Sequence, residues 1–270
     1  MPRSMTRLLA IVLAAAALAG CATSPTGRSQ LMLFGQQKLD VLGNKSFAEL
    51  KQQTPIDNNA ADNRFVKCVA HAIISTPGVS EAAGTDDWDI KVFKSDQINA
   101  FALPGGNIGV YSGLLPVTRN GAQLAAVIGH EVGHVIAGHP NERMSEQYAT
   151  QGGLAILSAF LGGAGGASSQ AIMSALGVGA QVGILLPFSR AQESEADIIG
   201  LELMARAGFD PRQSVQLWQN MSAAANGQEP TEFLSTHPSN DDRIQALRAH
   251  MDEAMQIYRQ ADDHPHCPHP

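Results

Sequence analysis

The sequence predicts an α+β fold, mainly helical, in which a small antiparallel sheet lies beside one apolar helix. Three observations predict it. Between residues 88 and 115, short apolar stretches, one of them strictly alternating, are broken by Pro104-Gly105-Gly106, the pattern of brief strands and turns. From Gly121 to Gly138 the apolar residues shift to helical spacing. From Ser189 onward the patterned stretches are all helical. The 270 residues, 44% of them hydrophobic, suffice for one domain with a real core, or at most two small ones. The net charge of −7 comes without a basic block, which argues against a nucleic-acid partner. No period of 20–50 residues stands out, which argues against a repeat array.

Residues 1–20 read as a signal peptide. Arg3 and Arg7 precede an apolar run from Leu8 to Leu18, too short to span a bilayer comfortably. Leu18-Ala19-Gly20-Cys21 looks like a lipobox, with cleavage before Cys21 and a lipid anchor on it. Ala22 stands where an inner-membrane retention signal would resemble Asp, so the outer membrane, facing the periplasm, is favoured. Residues 21–30, rich in Thr, Ser, Pro and Gly, read as a tether. The main domain is expected over 31–260.

Within that domain Lys38–Gln53 and Asn63–Ser75 carry helical spacing, with an N-cap at Asp62 or Asn63; Pro55 and Pro77-Gly78 end them. Trp88–Phe93, Ile98–Leu103 and the start of Asn107–Leu115 read as three antiparallel strands. Pro140 should end the helix that begins at Gly121. Two apolar stretches, Leu154–Leu161 and Ala171–Leu186, suggest a buried or lid-like helical hairpin, with membrane-surface contact as the alternative. Helices follow over Ser189–Ala207, Arg212–Ala225 and Asp241–Gln260. Residues 261–270, dense in Pro and His, read as a disordered tail. An exported chain meets an oxidising compartment, so Cys68 and Cys267 are candidates for a disulfide; two unpaired thiols are the alternative.

His130-Glu131-Val132-Gly133-His134 carries the chemistry. At roughly 100° per residue the two histidines lie one turn apart on one helix face and can reach one ion. Zinc suits such nitrogen donors. Glu131 lies about 100° round from His130, beside the ion, where a base must sit to deprotonate an attacking water. His139 projects about 140° from His134, so it is expected to face away and meet the helix's last carbonyls. A third ligand is needed with one position left open. Glu193-Ser194-Glu195-Ala196-Asp197 offers it: Glu193 and Asp197 share a helix face, Glu193 to ligate and Asp197 to orient a ligand histidine, while Glu195 points elsewhere.

Taken together, His130–His134, Glu193-x-x-Ala196-Asp197, Asn99-Ala100-Phe101 with Pro104-Gly105-Gly106, and His237-Pro238 with Arg243 resemble the HtpX/CAAX-prenyl-endopeptidase family of zinc peptidases. Thr26-Gly27-Arg28-Ser29-Gln30-Leu31 resembles the start of its LoiP-like lipoprotein branch. The resemblance covers most of residues 26–250. It implies a zincin-like metallopeptidase fold, one zinc ion per chain, Glu193 as third ligand and Glu131 as general base. It also implies quality control of misfolded envelope proteins as the role. Asn99, Ala100 and Phe101 would form an edge strand that takes up an extended substrate through backbone hydrogen bonds. His237 would either stabilise the oxyanion or occupy the fourth metal position at rest. Arg243 would pair with an acidic neighbour such as Asp197. The competing expectations are a non-catalytic envelope chaperone that holds zinc for structure, and an outer-membrane assembly scaffold.

Overall fold

The computed structural model describes residues 21–150, 188–225, 232–237 and 241–270. The readings of residues 1–20, of Leu154–Leu186 and of Pro238 lie outside these. The described residues open with a hairpin, β1 (Cys21–Thr23) against β2 (Ser29–Leu31), turned at Gly27 with φ 91°. Residues 21–30 are therefore not a loose tether. Buried polar contacts, described below, hold them to the domain.

Two helices follow, α1 (Gln36–Gln53) and α2 (Ala60–Ile74). The second starts earlier than its apolar pattern suggests, because Asn59 is the cap: its side chain accepts from Ala61 N at 2.9 Å and Asp62 N at 3.5 Å. A short α3 (Val79–Ala83) leads to β3 (Asp89–Phe93), β4 (Ala100–Leu103) and β5 (Asn107–Tyr111). The sheet order is β3-β5-β4, with β5 parallel to β3 and antiparallel to β4. The sheet is thus mixed rather than wholly antiparallel. Residues 94–106 are long enough to cross over and let β5 enter between the other two. All five residues of β5 are buried, as befits the central strand.

The strands' two faces serve two clusters. Ile90, Val92, Ala100, Ala102, Ile108 and Val110 pack toward α2 and the central helix α4 (Gly121–Ile136). Phe93, Phe101, Leu103 and Tyr111 pack with Leu39, Phe47 and Leu50 of α1. Gly109 makes room for the Phe101 ring, since a Cβ there would stand 2.1 Å from Cζ.

Helix α4, capped by Asn120 on Gln123 N at 2.9 Å, ends at Ile136, before Pro140 as expected. Gly138 turns the chain with φ 69°, and α5 (His139–Thr150) begins, with Pro140 in its first turn. Then come α6 (Arg190–Arg206), α7 (Arg212–Ala225), α8 (Glu232–Thr236), α9 (Asp241–Ala249) and α10 (Met251–Arg259). Ser189 and Gln192 form a reciprocal capping box at the start of α6. Among the described residues no helix is long and apolar enough to cross a membrane.

The tail is ordered as well, contrary to its composition. Cys267 is bonded to Cys68, His264 donates Nδ1–H to Gly208 O at 3.1 Å, and His269 donates Nε2–H to Leu115 O at 3.0 Å.

The crossing of α4 and α6 sets the site. A Cβ on Gly129 would lie 2.9 Å from Gly200 O, one on Gly133 3.0 Å from Ala196 O, and one on Gly200 2.7 Å from His130 N. Glycine on both helices therefore lets their backbones touch, and this brings the first turn of α6 beside the α4 histidines. Gly200→Ala must force the helices apart at a backbone contact. Overpacking of about 1–3 kcal/mol should outweigh the roughly 1 kcal/mol helix-propensity gain. The expected result is a lower urea midpoint together with weaker metal binding; an unchanged midpoint would show that the crossing tolerates a methyl group.

Candidate metal centre

Helix α4 carries His130, Glu131 and His134 on its buried side, each no more than 4% exposed. Glu193 comes from the first turn of α6, and His237 follows the last residue of α8, its N–H bonded to Phe233 O at 2.8 Å. One donor atom from each of His130, His134, Glu193 and His237 lies within 4.8 Å of the others. His130 Nε2 is 3.0 Å from His134 Nε2 and 3.2 Å from His237 Nδ1. Glu193 Oε1 is 3.5 Å from His134 Nε2 and 2.9 Å from His237 Nδ1.

These separations test whether a metal fits. Four ligands at about 2.0–2.1 Å from a tetrahedral zinc stand about 3.3–3.4 Å apart, close to the observed spacing. The outward nitrogens agree. His130 Nδ1 is 3.0 Å from Asp197 Oδ1, so Nδ1 carries the proton and Nε2 turns its lone pair inward. His134 Nδ1 is likewise engaged, 2.8 Å from His139 Nδ1. Burial, with lesser effects from neighbouring imidazoles, drives the His134 pKa well below its ordinary value, so its ring is neutral as a ligand must be. Burial pushes the Glu193 carboxyl up, but His237 and Arg243 outweigh it and hold the group ionised. Glu131 is pushed up, first by burial, against the pull of His237 and His130. Its buried Oε1 accepts no hydrogen bond among the described residues, although His237 Nε2 stands 3.4 Å away. The donor set fits a zinc-like ion with the Glu131 carboxyl beside it.

Asp197 is fixed by Arg243, which donates from Nε to Oδ2 at 2.7 Å and from Nη2 to Oδ1 at 2.6 Å. The guanidinium lies over the Trp218 ring at 4.0 Å and also reaches Glu193 Oε2 at 2.5 Å. Asn99, Ala100 and Phe101 divide. β4 is an edge strand, and Ile98 O accepts from Phe233 N at 3.1 Å, one turn before His237. Asn99 Oδ1 accepts from Ala100 N at 2.9 Å. Phe101, however, sends its ring into the cluster under α1, and all four residues of β4 are buried.

Two acidic and basic groups that the sequence reading set aside belong to the centre. His139 does not face away, because the turn at Gly138 ends the helical projection that placed it there. It is fully buried between His134 and Glu195, with Nε2 3.1 Å from Glu195 Oε2. Glu195 in turn meets Thr26 and Arg28 of the hairpin. Phe188, also overlooked, covers the imidazoles, its ring 3.9 Å from that of His134 and stacked on His237 at 5.3 Å. A glycine directly before His139 was the one local sign that the projection could not be continued.

The sequence pattern of peptidase family M48 matches residues 60–251. The chain belongs to this family. Among the relatives it resembles, the mitochondrial metalloendopeptidase OMA1 of Schizosaccharomyces pombe is 37% identical over 201 residues, 74% of this chain and 56% of that protein. The beta-barrel assembly-enhancing protease of Yersinia pestis is 38% identical over 160 residues, 57% of this chain and 32% of that protein. The protein of that name in Escherichia coli is 29% identical over 217 residues, 77% and 42% respectively. The M48 chain described here thus spans about half or less of the length of these relatives.

Proposed function

We propose that the chain is a zinc-dependent endopeptidase of the LoiP-like lipoprotein branch, anchored through a lipid on Cys21 and facing the periplasm from the outer membrane. Its substrates would be unfolded or misfolded envelope polypeptides. The observation that carries the catalytic reading is the convergence of His130, His134, Glu193 and His237, with Glu131 beside them presenting a buried Oε1 that accepts no hydrogen bond among the described residues. The bacterial relatives named for beta-barrel assembly support an envelope setting.

His130, His134 and Glu193 would hold the ion. Zinc, when bound, supplies Lewis acidity toward the scissile carbonyl and the attacking water. Glu131, raised by burial, takes the water's proton and delivers it to the leaving amine. Asn99, Ala100 and Phe101, at the edge strand β4, would take up an extended peptide through backbone hydrogen bonds once that buried edge is opened to it. Asp197 and Arg243 hold His130 in the tautomer that points Nε2 at the ion.

His237 Nδ1 lies 3.2 Å from His130 Nε2 and 2.9 Å from Glu193 Oε1, which supports the resting-ligand role over the oxyanion role. A closed four-ligand set also favours the second reading, a non-catalytic chaperone with structural zinc. Cleavage of unfolded casein that stops with a chelator and returns with zinc would exclude that reading; no cleavage under either condition would support it. His237→Ala separates the two roles of the residue. Opening the fourth corner should raise basal casein cleavage several-fold. A fall of about 100-fold would instead make His237 an oxyanion donor.

A further inference from the structure

The hairpin at the start of the described chain reaches the metal centre through one continuous set of hydrogen bonds. His134 Nδ1 meets His139 Nδ1 at 2.8 Å, and His139 Nε2 meets Glu195 Oε2 at 3.1 Å. Glu195 then accepts from Thr26 Oγ1 at 2.7 Å, Thr26 N at 3.3 Å and Arg28 Nε at 3.0 Å. Arg28 also bonds both oxygens of Glu142, the nearer through Nη1 and the other through Nη2 at 2.6 Å. His139, Glu195 and Glu142 are all buried.

Proton bookkeeping gives this set one direction. If His134 turns its Nε2 lone pair to the metal, its Nδ1 bears the hydrogen and donates it. His139 Nδ1 must then accept, so its proton sits on Nε2 and is donated to Glu195. The carboxylate closes the set, and Arg28 is the cation that lets Glu195 and Glu142 remain charged side by side out of water. Every donor finds an acceptor in this arrangement and in no other that leaves His134 Nε2 free.

We propose that Thr26 and Arg28 of the N-terminal hairpin, acting through Glu195 and His139, are positioning residues for the metal ligand His134. The inference rests on the zinc reading of the site. It makes the hairpin a working part of the centre rather than a spacer. Thr26 and Arg28 lie outside residues 60–251, the region matched to the M48 pattern, whereas His139 and Glu195 lie inside it. The hairpin begins at Cys21, so the proposed anchor point is continuous with the segment that clasps the ligand's support.

The test measures zinc affinity of the full chain by competition with a chromophoric chelator, and the melting temperature of the zinc-free form. Removal of a group that orients a ligand weakens metal binding by about 10–100-fold. His139→Phe and Arg28→Gln should each raise the zinc dissociation constant at least about tenfold, with Arg28→Gln, at the partly exposed end, as the variant that keeps the core intact. Because both act along one path, the double variant should bind no more weakly than His139→Phe alone. Losses that multiply in the double variant overturn the proposal. So does an Arg28→Gln chain that melts earlier without zinc but binds zinc as the parent does, since the hairpin is then only a clasp. A parent chain that binds no zinc overturns the metal reading itself, an outcome distinct from either.

Discussion

Glu131→Gln should lower casein cleavage by about 10²–10⁴-fold while leaving the zinc content unchanged. By transition-state arithmetic that is roughly 3–5 kcal/mol of lost stabilisation. The reason lies in what Glu131 does not touch. Its buried Oε1 accepts no hydrogen bond among the described residues, and His130, His134 and Glu193 are held without it, by Asp197, His139 and Arg243. An amide of the same shape removes the base and leaves the ligand geometry alone. His134→Ala provides the contrast, since it deletes one corner of the set and should lose metal and activity together. Zinc analysis beside a cleavage assay separates the two variants. A Glu131→Gln chain that cuts at the parent rate would remove Glu131 from the base role.

What the sequence made legible divides along a physical line. The positions of His130, Glu131 and His134, and the shared face of Glu193 and Asp197, follow from helical periodicity, which is local and regular. The pairing of Arg243 with Asp197 was expected from resemblance, and the two are in contact across 46 residues. The mixed sheet was not legible, because alternation reveals strands but not their order; β5 enters between β3 and β4 only because the crossover of residues 94–106 allows it. His139 was misplaced where one glycine at positive φ broke the projection. Glu195 was read correctly as leaving the Glu193 face, yet its partners Thr26 and Arg28 stand 169 and 167 residues away, beyond any local pattern. The hairpin's own composition of Thr, Ser, Pro and Gly is that of a linker. Buried groups elsewhere in the chain, the carboxylates of Glu142 and Glu195 and the Ala137 carbonyl that accepts from Gln30 Nε2, give it a fixed place.

The tail poses the same problem, and a covalent bond answers it. Cys267 is buried against α4, with Gly121 close enough that a Cβ there would stand 3.4 Å from Cys267 Cβ, and it is bonded to Cys68 of α2. The bond spans a sequence separation of 199 residues. In the chain-entropy account a closed loop of that size constrains the unfolded state by about 5 kcal/mol, and measured losses on removing native disulfides are typically about 2–5 kcal/mol. Replacing both cysteines with serine should therefore lower the melting temperature by about 5–15 °C, at roughly 2–4 °C per kcal/mol for a chain of this size. Each single replacement should give nearly the same shift as the pair, because either one opens the loop. Reduction of the parent chain should shift the melt by a similar amount. The bonds of His264 to Gly208 and of His269 to Leu115 survive the substitutions, so the tail can still dock, at the entropic cost of ordering ten residues without a covalent tie. None of these tail contacts touches His130, His134, Glu193 or His237, so zinc affinity below the melting transition should not change. A shift under about 2 °C would mean that the unfolded chain is already compact enough to hold the two ends together, and the stabilisation would then have to be sought in the tail's packing rather than in loop closure.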